Sequence, residues 1–121
     1  MDSRLHARYQ ARAKVIKAMA HPSRLMIVDQ LAEAGERCVC ELTDVVGADM
    51  STVSKHLTVL RQAGIVEHEK RGAMVFYRLR VPCIAEFLGC VESVLRRNAD
   101  EQQALVQLDT QPRSANAQGK R

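Results

Sequence analysis

Between residues 42 and 80 the apolar spacing of this chain changes period once, and that change limits what the chain can fold into. Leu42, Val45 and Val46 fall at i, i+3 and i+4, and Val53, Leu57 and Leu60 at i, i+4 and i+7. Both are spacings of amphipathic helices. Further on the period drops to two. Val75, Tyr77 and Leu79 alternate with Phe76, Arg78 and Arg80, the pattern of a half-buried strand. The two helices are joined by Gly47, Ala48, Asp49 and Met50; Asp49 or Ser51 caps the second and Gly64 stops it. Residues 65–69 supply the partner strand, and Lys70, Arg71 and Gly72 the turn. Two short helices in quick succession, then a charged hairpin, form a winged helix-turn-helix pattern.

The flanks are helical. Leu5, Tyr9, Arg12 and Ile16 share a face in residues 4–19. A second helix, opened by Pro22, carries Leu25, Val28 and Leu31 and ends near Gly35. Residues 82–97, opened by Pro82, carry a broad stripe of Ile84, Phe87, Leu88, Val91, Val94 and Leu95. The expected fold is therefore mainly α with a small β-hairpin wing, about five helices in the order α-α-α-α-β-β-α. Residues 1–100 form the domain and residues 101–121 a polar, disordered tail. With two Phe, two Tyr and no Trp among 121 residues, the core must be aliphatic. The stripe of the last helix is too apolar for an edge helix of a small monomer, which points to a dimer; the alternative is that it closes the core of a monomer.

The fourth helix carries the candidate recognition face. Ser51, Thr52, Ser54, Lys55 and His56 crowd its first turns, and no acidic residue occurs from Ser51 through Leu60. Hydroxyls near a helix N-terminus can bond phosphates and base edges, and Lys55 adds charge attraction. Lys70, Arg71 and Arg78 on the hairpin can follow the phosphate backbone. Taken alone, the helix is an ordinary solvated face and the basic hairpin a guard against edge pairing. In succession they point to double-stranded DNA. The net charge of +4 is compatible with that partner.

Four cysteines, Cys38, Cys40, Cys83 and Cys90, remain to be placed. The N-terminus is polar without a signal-type apolar stretch, and no apolar run approaches a membrane span, so a reducing cytoplasm is expected. Cys38 and Cys40 are then packing residues, a redox pair or ligands of a soft ion. Thiolates suit As(III), Sb(III), Cd(II) and Pb(II). Residues i and i+2 of a regular helix point about 200° apart, so the pair can share an ion only where the backbone is not helical. Cys83 and Cys90, seven apart, share a face of the last helix on the margin of its stripe, as packing residues or as further ligands. His21, at a helix start, reads as a cap or packing residue. No phosphate loop, paired carboxylates or cofactor fingerprint argues for an enzyme.

The segments HPSRL, CVCEL, STVSKHLTVLRQAGIV and RGAMVFYRL, in that order and spacing, resemble the ArsR/SmtB family of bacterial metal-sensing repressors over about residues 14 to 97. The resemblance implies a homodimer through the first and last helices. It implies an operator of imperfect inverted repeats, released when a metal ion or metalloid binds. Within the family, CVC at the start of the third helix resembles the thiolate site of arsenic-, antimony-, cadmium- and lead-responsive members, so Cys38 and Cys40 become the implied ligands and As(III) or Sb(III) the leading inducers. Cd(II) or Pb(II) on four thiolates and a thiol-redox switch are the alternatives. The chain departs from the arsenic pattern at Thr43, where a third cysteine is expected, so a third thiolate would have to come from Cys83 or Cys90. The last helix has Glu86 and Glu92 but no His, which disfavours a zinc- or nickel-type site there.

Overall fold

The structure is a computed structural model that describes residues 2–110. Its elements run α1 (Ser3–Met19), α2 (Pro22–Ala34), β1 (Arg37–Cys38), α3 (Val39–Val46), α4 (Met50–Gln62), β2 (Val66–Arg71), β3 (Met74–Leu79) and α5 (Ile84–Thr110). This is the expected five-helix winged helix-turn-helix with one added short strand. The chain divides into two units, Met1–Ala85 and a second from Glu86 onward.

Local chemistry places the breaks in the first unit. His21 caps α2: its Nδ1 accepts the Ser23 amide at 3.1 Å, and Pro22 occupies the first helical position, where no amide is needed. Gly47 ends α3 in the left-handed region at φ 77°, and its amide reaches back to the Thr43 carbonyl. The hairpin closes through Gly72 and Ala73, with φ 62° at Gly72 and no positive φ at Ala73. That places the turn one step later than expected, and Lys70 and Arg71 belong to the paired strand. A two-residue turn needs glycine at its first central position to match the strand twist.

The core is aliphatic, as the composition requires. Ile27, Val28 and Leu31 of α2, Leu42 of α3, Val53, Leu57 and Leu60 of α4, and Val66 of β2 are all shut off from solvent. Each such side chain contributes about 1.5–3 kcal/mol on burial. The sheet order is β1-β3-β2, all antiparallel, with Arg37 opposite Tyr77 and Cys38 opposite Phe76. The strand β1 thus anchors the Cys38 backbone to the wing.

The last helix differs from expectation at both ends. Pro82 and Cys83 lie in a turn ahead of it, so Cys83 does not share a helix face with Cys90. At the other end it continues to Thr110, so residues 101–110, assigned to a disordered tail, are helical. Residues 111–121 lie outside the described residues. Phe87, Val91, Val94, Leu95 and Leu105 are exposed on the single chain, as are Leu5, Tyr9 and Ile16 of α1. No described helix is long and apolar enough to cross a membrane.

Candidate nucleic-acid interface and its thiol pocket

The outer face of α4 is built as its spacing requires. With Val53, Leu57 and Leu60 buried, Ser51, Ser54 and Lys55 face solvent and Thr52 is half-buried. The hydroxyls of Ser51 and Thr52 both donate to Asp49, at 2.5 Å each, and hold its carboxyl below the usual carboxylate range. Asp49 is therefore the organiser of this helix start. An Asp two and three residues ahead of hydroxyl side chains is a pattern legible in sequence; of the two expected caps, Asp49 holds the position, and reading Asp49 or Ser51 as the cap missed the bond between them. Lys55 forms no ion pair among the described residues.

His56 does not join the recognition face. It is half-buried, its Nδ1 accepts from Arg24 Nε at 3.1 Å, and its ring lies 4.4 Å from that of His21. Arg24 also donates to the Ala18 carbonyl at 3.1 Å. Burial, then the neighbouring His21 and Arg24, push the His56 pKa below its ordinary value. The side chain ties α4 to the start of α2.

On the wing, Arg71 and Arg78 are engaged internally. Arg71 donates to both Glu36 carboxylate oxygens at 2.7 and 2.8 Å and to Glu69 at 3.0 Å, and its guanidinium lies 4.7 Å from the Phe76 ring centre. Arg78 donates to Glu67 at 2.8 Å and lies within 3.4 Å of Glu69. Two cations meet three carboxylates, so this face of the hairpin is not a cationic strip. Lys70 is exposed and outside that network. Of the charged residues expected at DNA, Lys55 and Lys70 are the ones left without an ion pair among the described residues.

Cys38 and Cys40 converge despite their i, i+2 spacing. Cys38 is extended (φ −80°, ψ 163°) as the residue capping α3, whereas Cys40 is in its first turn. The Cys38 amide donates to Glu41 Oε1 at 3.0 Å, the Glu41 amide returns a bond to the Cys38 sulfur, and Arg37 holds the other Glu41 oxygen at 3.0 Å. This reciprocal cap turns the two sulfurs toward each other, 2.7 Å apart, both cysteines being free. Cys38 is buried and Cys40 exposed; burial pushes the Cys38 thiol up. The pair opens into a pocket of about 300 Å³ whose walls include Met50 and Ser54 of α4 and Ala73 and Met74 at the wing turn. Residues of α4 and of the wing turn thus both border the thiols. Cys83 is exposed and not in this wall, and Cys90 is exposed on α5. Among the described residues no three His, Cys, Asp or Glu side chains are grouped to hold an ion.

Comparison with known proteins agrees with this architecture. Residues 21–68 match the family model described as "Bacterial regulatory protein, arsR family". An uncharacterised HTH-type transcriptional regulator of Methanocaldococcus jannaschii is 37% identical over 72% of this chain and 98% of its own length. The arsenical resistance operon repressor of Escherichia coli K12 is 33% identical over 77% of this chain and 80% of its own. The solution structure of a homodimeric winged helix-turn-helix DNA-binding domain from Mycobacterium bovis superposes with a TM-score of 0.73 at 30% identity, covering 84% of this chain and 93% of that one. The chain belongs to the ArsR family of winged helix-turn-helix transcriptional regulators, which bind DNA and are not enzymes.

Proposed function

We propose that this regulator is an operator-binding repressor, dimeric through α1 and α5, that lets go of DNA when a thiophilic metal ion or metalloid binds Cys38 and Cys40. The observation that carries this is the pocket itself. Two convergent sulfurs share one cavity with the first turns of α4 and with the wing turn. A ligand there acts on both elements that would touch DNA. The exposed apolar residues of α1 and α5 are the surfaces that a second copy would cover.

Binding requires the Cys38 and Cys40 protons to leave, and the buried Cys38 gives up its proton less readily than a free thiol. Two thiolates on one ion would have to stand farther apart than the present 2.7 Å, so ligation would pull Cys38 against the cap it shares with Glu41 at the α3 start. A coupling of about 1–3 kcal/mol between ion and operator would weaken DNA binding about 5- to 150-fold, and DNA would weaken ion binding equally. As(III) and Sb(III) are the leading inducers, and the similarity to the E. coli arsenical resistance repressor supports them. Cys83 and Cys90 are the remaining thiols for the third position that trivalent arsenic prefers. Cd(II) and Pb(II) are the divalent alternatives.

A thiol-redox switch is the second reading, favoured by the same short sulfur contact. DNA selected from a random duplex library by the reduced protein separates the two. Anaerobic addition of As(III), Sb(III), Cd(II) or Pb(II) should release it. Release by oxidant alone would remove the metal reading.

A further inference from the structure

The walls of the thiol pocket carry two more sulfur atoms. Met50 is the first residue of α4 and Met74 the first residue of β3, and both line the cavity that Cys38 and Cys40 open into. A methionine in a helical domain ordinarily fills gaps in the core, as Met19 does here at 2% exposure. Met50 and Met74 are 54% and 44% exposed. They leave an open cavity instead of filling one. Resting on the reading of Cys38 and Cys40 as the ion site, we infer that the pocket is a mixed thiolate–thioether site for soft monovalent d¹⁰ cations, Cu(I) and Ag(I), with Met50 and Met74 as ligands beside the two cysteines.

The donor chemistry separates this class from the others. Thioethers are neutral and soft; they add little to As(III) or to harder divalent ions but suit Cu(I). The protons also balance. A Cu(I) ion held by both thiolates releases the two thiol protons and leaves one net negative charge on the pocket, and neither thioether has a proton to lose. No electron moves, because the ion arrives and stays as Cu(I). The four donors come from β1, α3, α4 and the wing strand β3. An ion held by all of them would clamp the start of the recognition helix to the wing turn and to the α3 start. Thr43 then ceases to be a gap in the site, since the further donors come from Met50 and Met74.

The test uses the reduced full-length protein under anaerobic conditions. Cu(I) is titrated in competition with a chromogenic Cu(I) chelator, Cd(II) binding is followed by its thiolate absorption band, and the sulfur shell of bound copper is read by X-ray absorption. The wild type should bind Cu(I) in a sulfur-only shell. Met50→Leu,Met74→Leu, a volume-conserving pair at exposed positions, should lose at least about tenfold in Cu(I) affinity and lose sulfur donors from the copper shell. Its Cd(II) affinity should be unchanged, which also shows that the pocket is folded. A double variant with wild-type Cu(I) affinity and sulfur shell overturns the thioether assignment and leaves the cysteine site standing. A wild type that binds Cd(II) but not Cu(I) overturns it in the same way. A wild type that takes up neither ion overturns the cysteine site as well.

Discussion

Arg71 grips Glu36 with two hydrogen bonds, at 2.7 and 2.8 Å, across 35 positions of sequence. The pair joins the end of β2 to the segment that leads into Cys38, so the wing and the thiol pair share one fastening. Its Coulombic worth is modest at this exposure, but the bidentate geometry fixes direction.

The pH dependence of that fastening follows from its charges. Arg71, through its hydrogen bonds first, holds Glu36 and Glu69 below their ordinary value of 4.5. Carboxylates with lowered pKa stabilise the fold above 4.5 and lose that contribution as pH falls through the lowered value. Arg71→Ala should therefore be less stable than wild type near neutrality. In acid titrations followed by circular dichroism, that gap should close as pH drops below 4.5. A gap that widens in acid would contradict the ion-pair assignment.

Lys55 and Lys70 should carry the electrostatics of DNA binding. Lys55→Ala should weaken binding and lower the slope of log K against log salt by about 1. Lys70→Ala should act in the same sense. Arg71→Ala should change the slope less, because its charge is already matched by Glu36 and Glu69. Equal slopes for Arg71→Ala and Lys55→Ala would mean that Arg71 abandons Glu36 for phosphate.

His56 makes a second pH prediction at a different place. Burial first, and then the neighbouring His21 and Arg24, favour its neutral form. A depressed histidine protonates more readily when unfolded, so its contribution is intact above the ordinary 6.5 and is lost as pH falls through the folded value. Melting temperature should decline between about pH 7 and 5, and the decline should be shallower in His56→Gln. An unchanged decline would place the titration elsewhere.

Much of the fold was legible because its signals are local. Spacing placed Val53, Leu57 and Leu60 inward, and His21 and Pro22 marked the start of α2. What escaped depends on partners distant in sequence. The strand β1 has two residues, too few to show a period, and exists because β3 pairs with it. The positive charge of Arg71 is visible in sequence; its neutralisation by Glu36 is not. His56 looked like a DNA-facing cation until Arg24, 32 positions away, claimed its ring nitrogen. Cys83 dropped out of the last helix because Pro82 sits in the turn ahead of it. The pair Cys38 and Cys40 was visible, but Met50 and Met74 join it only once the hairpin folds over.

The core makes the simplest test of packing. Leu57 is fully buried on the inner face of α4. Leu57→Ala should cost about 2–5 kcal/mol in urea unfolding. A loss below about 1 kcal/mol would mean that the site collapses around the smaller side chain or is not packed as described.

Induction of Cys40→Ser measures the central claim most directly. Cys40 is exposed, lies against Cys38 and leaves the reciprocal cap between Cys38 and Glu41 untouched. Operator affinity of reduced wild type and Cys40→Ser is read by fluorescence anisotropy with and without As(III) and Cd(II). Without ion, both should bind alike. With ion, the wild type should weaken about 5- to 150-fold and Cys40→Ser not at all. A Cys40→Ser protein that is still released by the ion would show that the switch does not lie at Cys38 and Cys40.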